Sequence, residues 1–245
     1  MAGGKGKSGP AKRAAPAGTE APAEFQGFAP GATRLIAELA HRQDKVWYQA
    51  HKAELDAQVF APLRALFAAA QPRIARLYPK RELATKVFRI YRDVRFSKDK
   101  APYKDHASGV ILMGAGAPTG AAGALYLQIG PDEGGACGMW AMEPDQLARH
   151  RKAVLHDKHG AALDKLLRPL LSKGYQIVSI GKLARAPKGV DPAHPRVELL
   201  RHKGLALDFP PIPAKVRHTA ALLDWCVDRA ADCAPVVRWV LEQVG

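Results

Sequence analysis

At 245 residues, with 47% hydrophobic and 7% aromatic residues, the chain has enough apolar content for one large globular core, and no apolar run reaches membrane-spanning length. The 37 Lys and Arg outnumber 23 Asp and Glu, and the resulting formal charge of +14 favours anionic partners such as nucleic acid, phosphorylated small molecules or acidic surfaces. Cys137, Cys226 and Cys233 form no CxxC pair, which excludes a zinc ribbon or a thioredoxin-type motif and, with no secretory h-region at the N-terminus, points to a reduced, cytoplasmic protein.

Residues 1–24 are Gly, Ala, Pro and Lys with nothing to pack, so a disordered basic tail is expected there, followed by a single α+β domain over 25–245. Order is expected from Phe25 and Phe28, with Pro30 leading a helix that carries Leu35, Ile36 and Leu39 at helical spacing. Asp44 is placed to cap a second helix, WYQAHKAELDAQVF, and Pro62 marks a break or restart before a third, LRALFAAAQPRIARL. Trp47, Tyr48, Phe60 and Phe67 read as core-facing anchors.

The period then changes. VFRIYRDVRF, ASGVILMG, ALYLQIG and ACGMWAM alternate or run as short strands, joined by turn-like SKDKAPYK, GAGAPTGAAG and PDEGG, and most economically form an antiparallel meander. EPDQLARHRKAVLHD and AALDKLLRPLLSKG return to helix, YQIVSI and LALDF add strands, and TAALLDWCVDRAADCAPVVRWVLEQV closes the chain as helix with Pro235 at a kink or joint. Helices, a strand block, then helices with isolated strands give an α+β class: a mainly antiparallel sheet of about five or six strands packed by N-terminal, middle and C-terminal helices.

Residues 86–106, KVFRIYRDVRFSKDKAPYKDH, hold seven Lys or Arg and three Asp. As a strand over 87–97, they put Phe88, Ile90, Val94 and Phe96 on one face and Arg89, Tyr91, Asp93 and Arg95 on the other, spanning about 20 Å. Arg92 falls on the apolar side, so either a bulge re-aims it or it is buried with a partner. Guanidinium groups fork onto phosphate or carboxylate oxygens, Tyr91 can donate or stack, and Asp93 can orient an Arg or act as a base. A self-satisfied ladder, with Asp93 pairing Arg89 or Arg95, uses the same residues. The turn adds Lys98, Lys100, Lys104 and His106 around a stiffening Pro102.

FQGF near residue 25, FRIYRDVRFSKDKAPYK at 88–104, LQIGPD at 127–132 and PKGVDPAHPRVELL at 187–200 resemble a bacterial and fungal family of unknown function, DUF2461, over about residues 25–240. The resemblance implies that the charged strand and turn recur across members, as a site does. It also adds Asp191, Pro192, His194 and Pro195 as a second candidate wall. This chain departs from the family pattern at Ala101, where members often carry threonine, and around Cys137, Met139 and Pro144, where they show a glycine run and a Trp-x-Pro pattern.

Two functions follow. In the first, an enzyme acts on a phosphorylated or carboxylated small molecule: Arg89, Arg92, Arg95, Lys98, Lys100 and Lys104 hold the anion, and Asp93, Tyr91, Tyr103 or His106 moves protons. In the second, a nucleic-acid or phosphoprotein binding module presents the same strand and turn on an open face. No metal-binding or nucleotide-loop pattern occurs, HDKH at 156–159 reads as an exposed helix end, and neither cofactor nor metal is expected.

Overall fold

The computed structural model describes residues 24–95, 97–114 and 120–244. Residues 1–23 of the tail expected over 1–24, Phe96, residues 115–119 of the expected hairpin connection and Gly245 lie outside them.

Helix α1 (Ala32–Arg42) buries Leu35, Ile36 and Leu39, the three positions its period selects. Asp44 caps α2 (Lys45–Leu55), accepting from the Val46 amide at 2.9 Å and the Trp47 amide at 3.4 Å. Pro62 does not interrupt the chain's helical course. A five-residue π-turn, Asp56–Phe60, links α2 directly to α3 (Ala61–Ala75), and Pro62 sits in the first turn of α3. Pro235 likewise lies inside the long α8 (Ala221–Val244).

Six antiparallel strands form one sheet in the order β1-β2-β3-β4-β6-β5: β1 (Leu83–Val87), β2 (Ala107–Met113), β3 (Gly123–Ile129), β4 (Gly134–Met139), β5 (Gln176–Val178) and β6 (Leu205–Asp208). The α+β class and the meander strands β2, β3 and β4 are as expected. The first strand is not where alternation put it: β1 ends at Val87, and the charged block 88–106 follows as an irregular hairpin beyond the sheet end. Between β4 and β5 come α4 (Pro144–Leu155) and α5 (Asp157–Ser172), and α6 (Val197–Arg201) and α7 (Ala214–Arg217) flank β6. His156 and His159 cap and begin α5, with the His156 Nδ1 accepting from the Lys158 amide at 3.2 Å.

Helices α3 and α8 pack on one face of the sheet. Gly109 in β2 faces Phe67 of α3, Thr85 in β1 donates to Gln71 of α3 at 3.1 Å, and Cys137 in β4 lies against Cys233 of α8. Since side chains alternate, the neighbours of these residues point the other way. Lys86, Val110, Tyr126, Ala136 and Asp208 face one another across β1, β2, β3, β4 and β6, forming a lateral row on the face opposite α3 and α8. Buried residues of the N-terminal helices, the sheet and α8 belong to one hydrophobic cluster. Among the described residues, no helix is long and apolar enough to cross a membrane.

Candidate functional site

The charged block departs from a strand for a countable reason. Val87 faces Gly109 in the β1–β2 ladder, yet four residues on, Tyr91 faces Tyr103, six residues back. Two extra residues are therefore looped out of the second arm between Tyr103 and Gly109, where Lys104, Asp105 and His106 lie. Pairing resumes beyond the bulge, with the Lys104 amide bonding Ile90 O and the Arg92 amide bonding Pro102 O, each at 2.8 Å. Those two bonds flank Tyr91 and Tyr103 as a non-hydrogen-bonded pair, the geometry that brings cross-strand side chains closest.

Alternation survives as far as Tyr91. Ile90 is buried and Phe88 half-buried, while Arg89 is exposed and Tyr91 retains 40% exposure. Beyond Arg92 the hairpin tip is held by its own charges. Arg95 clasps Asp93 through Nε at 2.9 Å and Nη2 at 2.7 Å, and the Arg95 amide also bonds that carboxylate. Arg92, the residue that periodicity made anomalous, ion-pairs with Asp99, whose other oxygen accepts the Ala101 amide at 2.9 Å. Lys100 Nζ donates to Val94 O at 3.0 Å. Asp93 and Asp99 are consequently held below the usual carboxylate range, by Arg95 and Arg92 respectively. A carboxylate so held is a poor proton acceptor at neutral pH, which weakens Asp93 as a base.

Of the other proton-moving candidates, Tyr103 is buried, with its phenol pushed up by that burial. His106 Nδ1 pairs with Asp105 at 2.7 Å on the bulge. Tyr91 packs against both Tyr103 (5.2 Å between ring centroids) and Tyr48 of α2 (5.3 Å), and burial together with the Tyr91 hydroxyl pushes Tyr48 up to about 12. Tyr48 thus does more than anchor α2: it carries the hairpin.

Gln43 completes the attachment, and sequence reasoning missed it. Just past α1, at φ 50°, its amide mimics a strand: Oε1 accepts the Tyr103 amide at 2.9 Å and Nε2 donates to Tyr103 O at 3.2 Å. A residue sixty positions away gave no local signal. Gln43→Ala leaves both Tyr103 backbone groups without these bonds in a buried setting, an expected loss of about 1–3 kcal/mol. Hydrogen exchange provides the check: the Tyr103 amide should lose protection, and unchanged protection would refute the attachment.

Of the six predicted anion-binding residues, Arg92 and Arg95 are in ion pairs and Lys98 and Lys100 lie exposed at the tip. Arg89 and Lys104 gather instead with Lys86. Lys86 Nζ and Lys104 Nζ lie 5.4 Å and 5.1 Å from the centroid of the same Phe88 ring. The Lys104 ammonium is pushed down by burial and then by the charges of Arg89 and Lys86. Among the described residues none of these three makes an ion pair with a carboxylate. Arg89 also feels Asp93, whose carboxyl its charge helps to hold down, and the crowding of Lys86 and Lys104 with it is what an anion would stabilise.

The second candidate wall is not beside the first. The hairpin leaves the sheet at the Val87–Ala107 end of edge strand β1, whereas the Pro-rich loop follows Val178 at the opposite end of the opposite edge strand. Five strand spacings, about 24 Å, separate the two edges. Asp191 and His194 there bond the Ala193 and Arg196 amides at 2.8 and 3.1 Å, and shape their own turn. Two surface clefts, of about 500 and 290 Å³, are lined by Phe25, Ala65 and Asp224 and by Tyr48, Lys52 and Phe60 respectively. The second reaches the hairpin only through Tyr48.

A family model described as a conserved hypothetical protein, DUF2461, matches residues 32–239. No curated protein and no solved structure matches the chain. With the charged hairpin, its Gln43 and Tyr48 supports and the whole sheet inside the matched range, the chain belongs to the DUF2461 family.

Proposed function

We propose that the protein is a nucleic-acid-binding module that takes backbone phosphates at Lys86, Arg89 and Lys104. The observation that carries this reading is the gathering of Lys86 and Lys104 at the Phe88 ring with Arg89 near enough to press the Lys104 ammonium down, while among the described residues no ion pair joins any of the three to a carboxylate. Exposed Arg89 and Tyr91, and Lys98 and Lys100 at the tip, extend the same electropositive surface. Three buried, free cysteines suit a cytoplasmic setting for such a module.

Fluorescence anisotropy of a labelled single-stranded oligonucleotide, titrated at several salt concentrations, tests the reading. Neutralising three phosphates on a single strand corresponds to a slope of about −2 in log affinity against log salt. Arg89→Ala should weaken binding and make that slope shallower by about 0.7. Affinity that ignores salt, or is untouched by Arg89→Ala and Lys104→Ala, would overturn the proposal.

A small-molecule enzyme remains the second reading, favoured by one observation: the 290 Å³ cleft holds Tyr48, Lys52 and Asp56 beside a π-turn, and π-turns are common at functional sites. Its substrate would carry a phosphate or carboxylate, with Tyr91, hydrogen-bonded to Tyr48 and Tyr103, and His106, paired with Asp105, as the proton-moving groups.

A further inference from the structure

The face of the sheet turned away from α3 and α8 begins at the cation cluster and continues from it. Phe88 lies beside Ser108, its amide bonding Ser108 O at 2.8 Å, and Ser108 faces Gln128 on β3. One row along, Lys86 faces Val110 and Val110 faces Tyr126. Lys86, Phe88, Tyr126 and Gln128 therefore share one surface, and the two rings are separated by about two strand spacings, roughly 10 Å. Phe88, Tyr126 and Gln128 are all partly accessible. The Tyr126 hydroxyl donates to Gln128 Oε1 at 2.8 Å and Gln128 Nε2 donates to Asp132 O, which fixes both side chains and leaves the second Nε2 hydrogen and the second Oε1 lone pair for a further partner. Burial raises the Tyr126 phenol, so it stays a neutral donor at physiological pH.

This combination is unusual for an ordinary solvated sheet face. Such a face needs polar side chains, but not aromatic rings with two ammonium groups poised over one of them. Phosphates that draw the Lys86 and Lys104 ammonium groups off the Phe88 ring would leave that ring to an attached base, because both ammonium groups start within 5.4 Å of its centroid. Stacking on an aromatic face accepts any base, and the intervening amide and hydroxyl can bond base edges.

We infer that this open sheet face is a nucleobase platform, with Phe88 and Tyr126 as stacking rings and Gln128 as an edge contact, for nucleotide units whose phosphates occupy the Lys86–Arg89–Lys104 cluster. The inference rests on the phosphate-binding reading above and adds to it the chemical class of the rest of the ligand. The unit belongs either to a single strand or to a free nucleotide.

The test compares a short oligothymidylate with an abasic phosphodiester of equal length, and uses uridine monophosphate as competitor. Wild-type protein should prefer the base-bearing strand by roughly five- to a hundred-fold, the effect of stacking one base. Phe88→Leu should bring the two affinities close to equality, the ratio of base-bearing to abasic affinity being the readout. Tyr126→Phe, which keeps the ring, should retain the preference, and thermal melts of both variants show that they fold. Uridine monophosphate displacing the strand at comparable concentration assigns the platform to free nucleotides, and weak displacement assigns it to strands. Either outcome supports the platform. Equal wild-type affinity for the two strands, with a salt slope present, overturns the platform and leaves phosphate binding standing. Binding to neither strand overturns both.

Discussion

Gly109→Ala is expected to destabilise the protein by about 3 kcal/mol, the upper range for overpacking a close-fitted core. A Cβ on Gly109 would stand 2.8 Å from Cδ2 of Phe67 and closer still to Cε2, and Phe67 is wholly buried, so its ring has nowhere to retreat. The alanine must push α3 away from the sheet or force the ring off its rotamer. Gly109 also faces Val87, the last residue before the charged hairpin, so the strain falls at the hairpin's root. Phe67→Leu should rescue part of the loss. Denaturant unfolding of both single variants and the double variant measures this, and a double variant no better than the sum of the singles would show that Phe67 is not the obstacle.

The second large effect is acid sensitivity through His150. This residue of α4 is fully buried, neither ring nitrogen has a hydrogen-bond partner, and its ring meets Trp239 edge-on at 6.0 Å. Burial, then the charges of Arg151 and His202, lower its pKa from about 6.5 to about 4. With the folded value depressed, the unfolded chain binds the proton more readily. The stability is therefore complete above about pH 6.5 and lost progressively as pH falls toward 4, amounting to about 3 kcal/mol. His150→Phe removes the titrating group and two unsatisfied nitrogens. It should flatten the dependence between about pH 7 and pH 4.5 without loss at neutral pH. An unchanged pH profile in urea unfolding would show that the acid lability lies elsewhere.

Much of the architecture was legible because local periods carry it. Leu35, Ile36 and Leu39 of α1, the Asp44 cap and the meander β2–β3–β4 all follow from spacing that their neighbours reinforce. Reading failed at 88–97 for a reason that alternation cannot express. Phe88 to Tyr91 do alternate, but pairing requires a second arm, and the two residues looped out near Lys104 to His106 shift its register. Arg92 was correctly singled out, and a partner resolved its anomaly: Asp99 of the same hairpin. Pro62 misled in the other direction, because a proline in a helix's first turn costs no hydrogen bond and a π-turn can absorb the joint.

The site divides in the same way. Composition and spacing marked 86–106 as the place where charge concentrates and named Arg89, Tyr91 and Lys104 among its residues. They could not separate cations that are spent from cations that are available, since Arg95 meets Asp93 and Arg92 meets Asp99 only in the folded hairpin. Nor could they bring in Gln43 and Tyr48, which reach Tyr103 and Tyr91 across the chain, or keep the Pro-rich loop apart at the far edge of the sheet. By itself the sequence determined the elements and the charged segment, because helical and strand periods, caps and composition act between near neighbours. Only the tertiary structure decided which charges neutralise one another and which cations gather at Phe88, because those are contacts between residues that the chain order holds apart.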